Sequence, residues 1–396
     1  MRNQGAGEPG LQGRPQTLVA VIAATLLVLG ALYVARATGL RLAALWLVGG
    51  ALGFALYHAA FGFTGAYRAL FLTGRSGAVR AQMLMLAVAV AIFFPALEAG
   101  SLFGAPVRGF VFPAGLEVAI GAFLFGIGMQ LGGGCASGTL YSTGGGDTRT
   151  AITLVCFVAG MTLGAWDIER WAALPQLPPI SLPQSLGLWP ALALNLGIFA
   201  LIAWAAAARE RRMRGSVEPI FRCEGRAFLT GPWPFAWAAL ALALLNAATL
   251  VLAGRPWGIT QAFATWGALV AEAAGLADPV WWVYWEDPTR VDLLHRPLVR
   301  DATTLMNVGL IVGAGLAAAL AGRFAPGWRI GWRPLLAAIL GGLMLGYGAR
   351  MAFGCNISAF FSGVASGSLH GWLWILAALP GNWLGIRLRP MFSLPT

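Results

Sequence analysis

Two apolar stretches of this chain are broken at the same point by glycine, cysteine and small polar residues, and the two breaks are copies of one another. Displacing the sequence by 220 positions lays residues 125–142 (FGIGMQLGGGCASGTLYS) over the stretch that begins at Leu345. Gly126 then falls on Gly346, Gly128 on Gly348, Gly134 on Gly354, Cys135 on Cys355 and Ser142 on Ser362. A repeat centred on two interrupted apolar segments is the sequence sign of a membrane transporter assembled from two related halves. A weaker pair precedes these motifs, since 61–67 (FGFTGAY) is similar to 257–263 (WGITQAF) at an offset of 196.

The breaks matter because their surroundings are lipid-compatible. The 396 residues are 58% hydrophobic and 10% charged, against roughly 25% charge in ordinary soluble domains. Ten segments satisfy the length needed to span a bilayer: 17–36, 42–58, 80–98, 114–132, 150–166, 188–207, 234–252, 302–321, 334–351 and 371–388. The first run is longer than the apolar core of a secretory signal and reads as a retained span. The expectation is an all-α polytopic membrane protein of about ten spanning segments with re-entrant half-helices. An odd number of crossings leads from the second span, before Gly62, to the seventh, before Gly258, which predicts two inverted repeats. The halves would be 1–208, with an extra N-terminal span, and 233–396, joined by a basic linker at 209–232.

The net charge of +11 is carried by arginine, with no lysine present. Arginines between apolar spans, and not along one polar face, argue for topology and against nucleic-acid binding. Arg209, Arg211, Arg212, Arg214, Arg222 and Arg226 crowd after the sixth span, which places that linker and both termini in the cytoplasm. Arg36, Arg41, Arg290, Arg296 and Arg300 then lie outside, against the rule. Four cysteines without paired spacing and three histidines indicate neither a disulfide framework, a metal site nor a cofactor.

Gly132, Gly133 and Gly134 before Cys135 oppose a continuous helix, at about 1 kcal/mol each relative to alanine. Unwound backbone at membrane depth survives only where it is buried in protein or lines a cavity. The small residues after each cysteine, Ser137 and Thr139 in one copy and Asn356 and Ser358 in the other, would open short helices whose free N–H groups attract an anion. The bland alternative for Gly346, Gly348 and Gly354 is close helix contact. It does not explain a cysteine at the same place in both copies. Arg350, five residues before Cys355, is a guanidinium inside a span and therefore a functional candidate; snorkelling to the interface is its alternative. His370 either donates to a ligand or caps a turn. Cys156, in a plain apolar span, and Cys223, an incidental thiol in the basic linker, stay outside the candidate site.

Residues 348–358 (GARMAFGCNIS), followed by 366–371 (SGSLHG), resemble the signature of the YeeE/YedE family of bacterial inner-membrane proteins, and 132–138 (GGGCASG) is similar to the same family. The resemblance implies an hourglass-shaped helical protein of inverted halves that takes up thiosulfate, or a related sulfur species, past cysteines near a central constriction. It also implies delivery to a small cytoplasmic sulfur-carrier protein. Cys135 and Cys355 carry over by motif. A third cysteine implied for the first hairpin is absent, since 61–63 reads Phe-Gly-Phe.

The residues therefore point to a transporter of a small sulfur-containing anion whose contacts come from Cys135, Cys355, Gly134, Ser137, Thr139, Arg350, Gly354, Asn356, Ser358 and His370. The rival is a membrane sulfurtransferase or thiol oxidoreductase working through cysteine persulfides, which needs a base or resolving thiol nearby. A structural subunit would leave the repeated polar motifs without purpose.

Overall fold

The structure, a computed structural model, describes residues 14–221 and 228–395; Arg222, Cys223 and Arg226 of the basic linker lie outside the described residues. It is helical from end to end. α1 (Thr17–Thr38) turns at Gly39 into α2 (Leu40–Ala59), which breaks before the short α3 (Phe63–Thr73) and the long α4 (Gly77–Glu98). Two small antiparallel strand pairs follow: the hairpin of β1 (Ser101–Leu102) with β2 (Ala105–Pro106), and the longer-range pairing of β3 (Ala114–Gly115) with β4 (Gln176–Leu177). α5 (Leu116–Gly132), α6 (Ala136–Gly144) and α7 (Thr148–Trp166) carry the first motif, before the short α8 (Glu169–Ala172) and α9 (Leu182–Leu186) and the long α10 (Leu188–Arg214). The second half of the chain forms α11 (Phe235–Ala253), α12 (Thr260–Ala273), α13 (Pro288–His295), α14 (Ala302–Leu320), α15 (Trp332–Met351), α16 (Ser362–Ala365) and α17 (Leu369–Leu388).

Among the described residues, nine helical stretches are long and apolar enough to cross a membrane, and three of them run through a break: α2 with α3, α5 with α6, and α15 with α16. The tenth expected span corresponds to α17, made less apolar by His370, Asn382 and Arg387. This is an all-α, multi-pass membrane protein. Leu18, Leu29, Trp166, Trp189, Trp328 and Trp332 are exposed, as expected of side chains that meet lipid tails or the headgroup belt.

One expectation shifts. Arg209, Arg211, Arg212 and Arg214 form the last turns of α10 and not a loop, with Gly215 as its left-handed cap. Cations suit the negative end of a helix. Glu210, 1% exposed, turns inward, where it accepts the Ser76 hydroxyl at 2.5 Å and faces Arg80 at 3.5 Å.

Backbone-to-backbone contact through glycine sets the helix pairs. A Cβ on Gly313 of α14 would lie 2.0 Å from Gly50 O of α2, and one on Gly346 of α15 would lie 2.2 Å from Phe157 O of α7. Gly348 meets Gly121 O of α5 in the same way, at 2.5 Å. Lipid gives no hydrophobic drive for helix association, so such close approach supplies the dispersion and Cα–H contacts that do. The glycines ahead of the second break thus serve helix contact.

Replacing Gly346 by Val should cost at least about 3 kcal/mol, because backbone atoms cannot yield as side chains do. Thermal denaturation in detergent is expected to show that loss, whereas Gly65→Ala, with nothing within 4 Å of the added carbon, leaves the transition in place.

Candidate functional site

Both breaks present their cysteine in the same way. α5 stops at Gly132, Gly133 takes φ 92°, and Cys135 caps α6 in an extended conformation, φ −79° and ψ −171°. Its sulfur accepts the Gly138 N–H at 3.5 Å and lies 3.3 Å from Ser137 Oγ. In the second copy α15 stops at Met351, Gly354 takes φ 148°, and Cys355 has φ −107° and ψ −171°. Its sulfur lies 3.7 Å from Ser358 Oγ. A side chain at Gly354 would be strained, and its Cβ would sit 2.6 Å from Ser358 Cβ. Asn356–Phe361 winds as a π-helical turn into α16, a device that recurs at functional sites.

Unwound backbone at this depth is satisfied by side chains from neighbouring helices. Ser358 Oγ accepts the Ile259 N–H at 3.1 Å, and Asn307 donates to Ile259 O at 3.0 Å. Asn246 accepts the Trp257 N–H at 2.7 Å and donates to Ser362 Oγ at 3.3 Å, while Ser362 donates to Trp257 O at 2.7 Å. Trp374 donates to Gly354 O at 3.1 Å. At the first break Gln130 donates to Thr64 O at 3.1 Å, Thr153 donates to Gly132 O at 3.1 Å, and Arg149 and Arg389 donate to Leu131 O and Gln130 O.

Not every polar group is met. Cys135 and Cys355 are buried, and α6 touches the π-turn. Thr139 Oγ1 is buried without a hydrogen-bond partner among the described residues, and the Tyr67 hydroxyl and the Asn356 amide interact without a well-formed hydrogen bond to any described residue.

Ser358 also belongs to a cavity of about 1080 Å³ that opens between α2, α11, α12, α15 and the 281–300 segment. Seven arginines line it against three aspartates. The aspartates are already committed: Asp301 caps α14 through Thr303 and Thr304, Asp292 pairs with Arg296, and Asp287 caps α13 through Thr289. The Thr289 hydroxyl and N–H hold the Asp287 carboxyl below the usual carboxylate range. Burial pushes the Arg255 guanidinium below its ordinary value, an effect that Asp301 opposes and Arg108 reinforces. A cleft lined by one sign of charge focuses its field and concentrates anions.

A profile for sulphur transport matches residues 58–384. The chain belongs to the sulphur-transport family. The "probable transporter YedE" of Salmonella typhimurium is 33% identical over 165 residues, 41% of this chain and 40% of that protein. The "thiosulfate transporter TsuA" of Spirochaeta thermophila is 31% identical over 282 residues, 67% of this chain and 74% of that protein. The Escherichia coli protein of the same name is 24% identical over 361 residues, 86% and 94% of the two chains. The matched segment thus spans less than half of the YedE relative. The YeeE/YedE resemblance of the two cysteine motifs agrees with these matches.

Within this member of the sulphur-transport family the expected residues divide into three places. Gly134, Cys135, Ser137 and Thr139 gather at the first break, and Gly354, Cys355, Asn356 and Ser358 at the second. Arg350 is 7% exposed and lines the cavity beside Ser358, so it does not snorkel. His370 stands off the cavity, edge-on to Phe112 at 5.3 Å, with Nδ1 3.4 Å from Ser368 Oγ. Tyr67, Gln261 and Tyr284 were not singled out from sequence. The usable signal was the aromatic segment 281–285, unusual outside a span, together with an intramembrane Arg350 that has no carboxylate within a turn of it.

Asn246→Leu removes both partners of the Trp257 N–H and Ser362 link. The expected loss is about 1–3 kcal/mol for the stranded backbone donor, read as a lowered detergent Tm; Asn246→Asp, which keeps the acceptor, should lose less.

Proposed function

We propose that this protein takes up thiosulfate, or a closely related small sulfur-containing anion, through a central constriction lined by Cys135 and Cys355. The observation that carries the reading is the pair of cysteine-capped half-helices set among polar groups without a well-formed hydrogen bond, with the second of them at the foot of an arginine-rich cavity. The names of the TsuA relatives supply the substrate.

A dianion that leaves water must find replacement donors, or it pays several kcal/mol for each unmet interaction. The free N–H groups that open α6 and the Asn356 turn, the hydroxyls of Ser137, Thr139 and Ser358, the Asn356 amide and the Arg350 guanidinium are such donors. Gly134 and Gly354 let the backbone approach, and His370 holds the 366–371 turn behind the second copy. The cysteines act as neutral thiols, because only the protonated form donates a hydrogen bond to the anion. Two inverted halves, 1–208 and 233–396, would bring their half-helices to the constriction from opposite sides. In this orientation the protein sits in a bacterial inner membrane with both termini cytoplasmic, the arginine cavity faces outward, and a small sulfur-carrier protein collects the sulfur inside.

Uptake of radiolabelled thiosulfate in a strain lacking other importers tests the thiol role. Cys135→Ser and Cys355→Ser, which keep a donor, should retain measurably more uptake than the alanine variants, and alkylation should block it. Equal loss in serine and alanine variants, with a persulfide found on either cysteine by mass spectrometry, would replace transport by sulfurtransferase chemistry. Counterflow of labelled thiosulfate in vesicles holding only this protein is the second expected result; its absence sinks the transporter reading.

A further inference from the structure

Between α12 and α14 the chain runs through residues 274–301, where residues 74–76 suffice to join α3 to α4. Tyr284, in the longer segment, is 1% exposed and carries two guanidiniums on its ring. Arg350 Cζ lies 4.2 Å and Arg290 Cζ 4.7 Å from the ring centre, and Arg290 also donates to Tyr284 O at 3.2 Å. The Tyr284 hydroxyl donates to Gln261 Oε1 at 2.8 Å.

This arrangement leaves donors over. The Gln261 oxygen is taken by Tyr284, and its Nε2 is buried without an acceptor. Arg350 lies with its face on the ring, and its Nε is likewise buried without an acceptor. Glu117 acts on Arg350 through charge alone, from beyond ion-pair distance. Ser358 accepts the Ile259 N–H, and its hydroxyl proton has only the weak Cys355 Sγ contact at 3.7 Å to give up to a ligand. Gln261, Tyr284, Arg290, Arg350 and Ser358 all line the same cavity. Unmet buried donors are costly, and a guanidinium held by cation–π contact keeps its charge for a ligand.

We propose that Tyr284 organises an oxyanion-binding shelf in this cavity, where Arg350, Gln261 and Ser358 take the oxygens of a fully deprotonated sulfur dianion before it meets Cys355. Because its unmet groups, Arg350 Nε and Gln261 Nε2, are donors, the shelf favours an anion whose oxygens all accept over one that carries a hydrogen. A protonated oxygen facing either group would meet another donor, and a mismatch of that kind is what lets a polar site disfavour a near-isostere. Tyr284 is a positioning residue in this scheme: its hydroxyl engages Gln261 Oε1 and so fixes the amide with its NH2 end left to donate. The identity of the anion rests on the transport reading above; the shelf itself does not.

The test is a fluorescence or calorimetric titration of the purified full chain with sodium thiosulfate, sodium sulfate and phosphate at pH 6, where phosphate carries hydrogens. Thiosulfate and sulfate should bind wild type at least roughly tenfold more tightly than phosphate. Tyr284→Phe keeps the ring beneath both guanidiniums and frees the Gln261 oxygen, so the preference should shrink and the KM of uptake rise with the maximal rate kept. Gln261→Glu should abolish dianion binding, and if that variant fails to accumulate, Tyr284→Phe decides alone. Equal affinities for sulfate and phosphate, or binding unchanged in Tyr284→Phe, overturns the shelf. Dianion binding that follows these rules in a protein that moves no sulfur anion keeps the shelf and rejects the transport reading.

Discussion

Backbone that leaves the helix inside a bilayer has no water to bond, and the rest of this structure answers that one constraint. The chain unwinds around Gly133, around Gly354 and between α11 and α12, and side chains from other elements take up the N–H and C=O groups this exposes. Asn246, Asn307 and Ser358 have no apolar substitute in holding residues 257–259. Each sits on a different element, so that break exists only in the assembled bundle. The glycine contacts between α14 and α2, and between α15 and its neighbours α5 and α7, bring those elements near enough for short polar side chains to reach.

Charge is arranged around the same feature. Arg41, Arg290, Arg296 and Arg300 count against the orientation that puts the Arg209–Arg214 end inside, and they line one cavity together. A patch so rich in arginine is serviceable for gathering anions. Asp292 pairs with Arg296 and Asp287 lies 4.0 Å from Arg290, while Asp301 caps α14. Seven arginines against three aspartates still leave the cavity an excess of positive charge.

Sulphur-transport family membership and the two breaks were legible in the linear chain because both depend on local spacing. Cys135 and Cys355 adopt nearly the same backbone conformation, as the repeat at a fixed displacement required. Nine of the ten spans were legible for a related reason, since apolar length decides them. The basic run after the sixth span was misread as loop because arginine is as good a helix former as it is a topological signal, and only the capping Gly215 marks the true end.

What the sequence by itself determined was the material of the site: apolar spans, glycines where the backbone must turn or touch, and a cysteine at each break. The tertiary structure alone decided which polar groups are met and which are left free. Arg350 stood out in the sequence as a guanidinium within a span and Gln261 did not, and only the fold sets Tyr284 against both, its hydroxyl on the Gln261 oxygen and its ring on the Arg350 face. Hydrogen-bond satisfaction is a property of neighbours in space, and no local pattern along the chain encodes it.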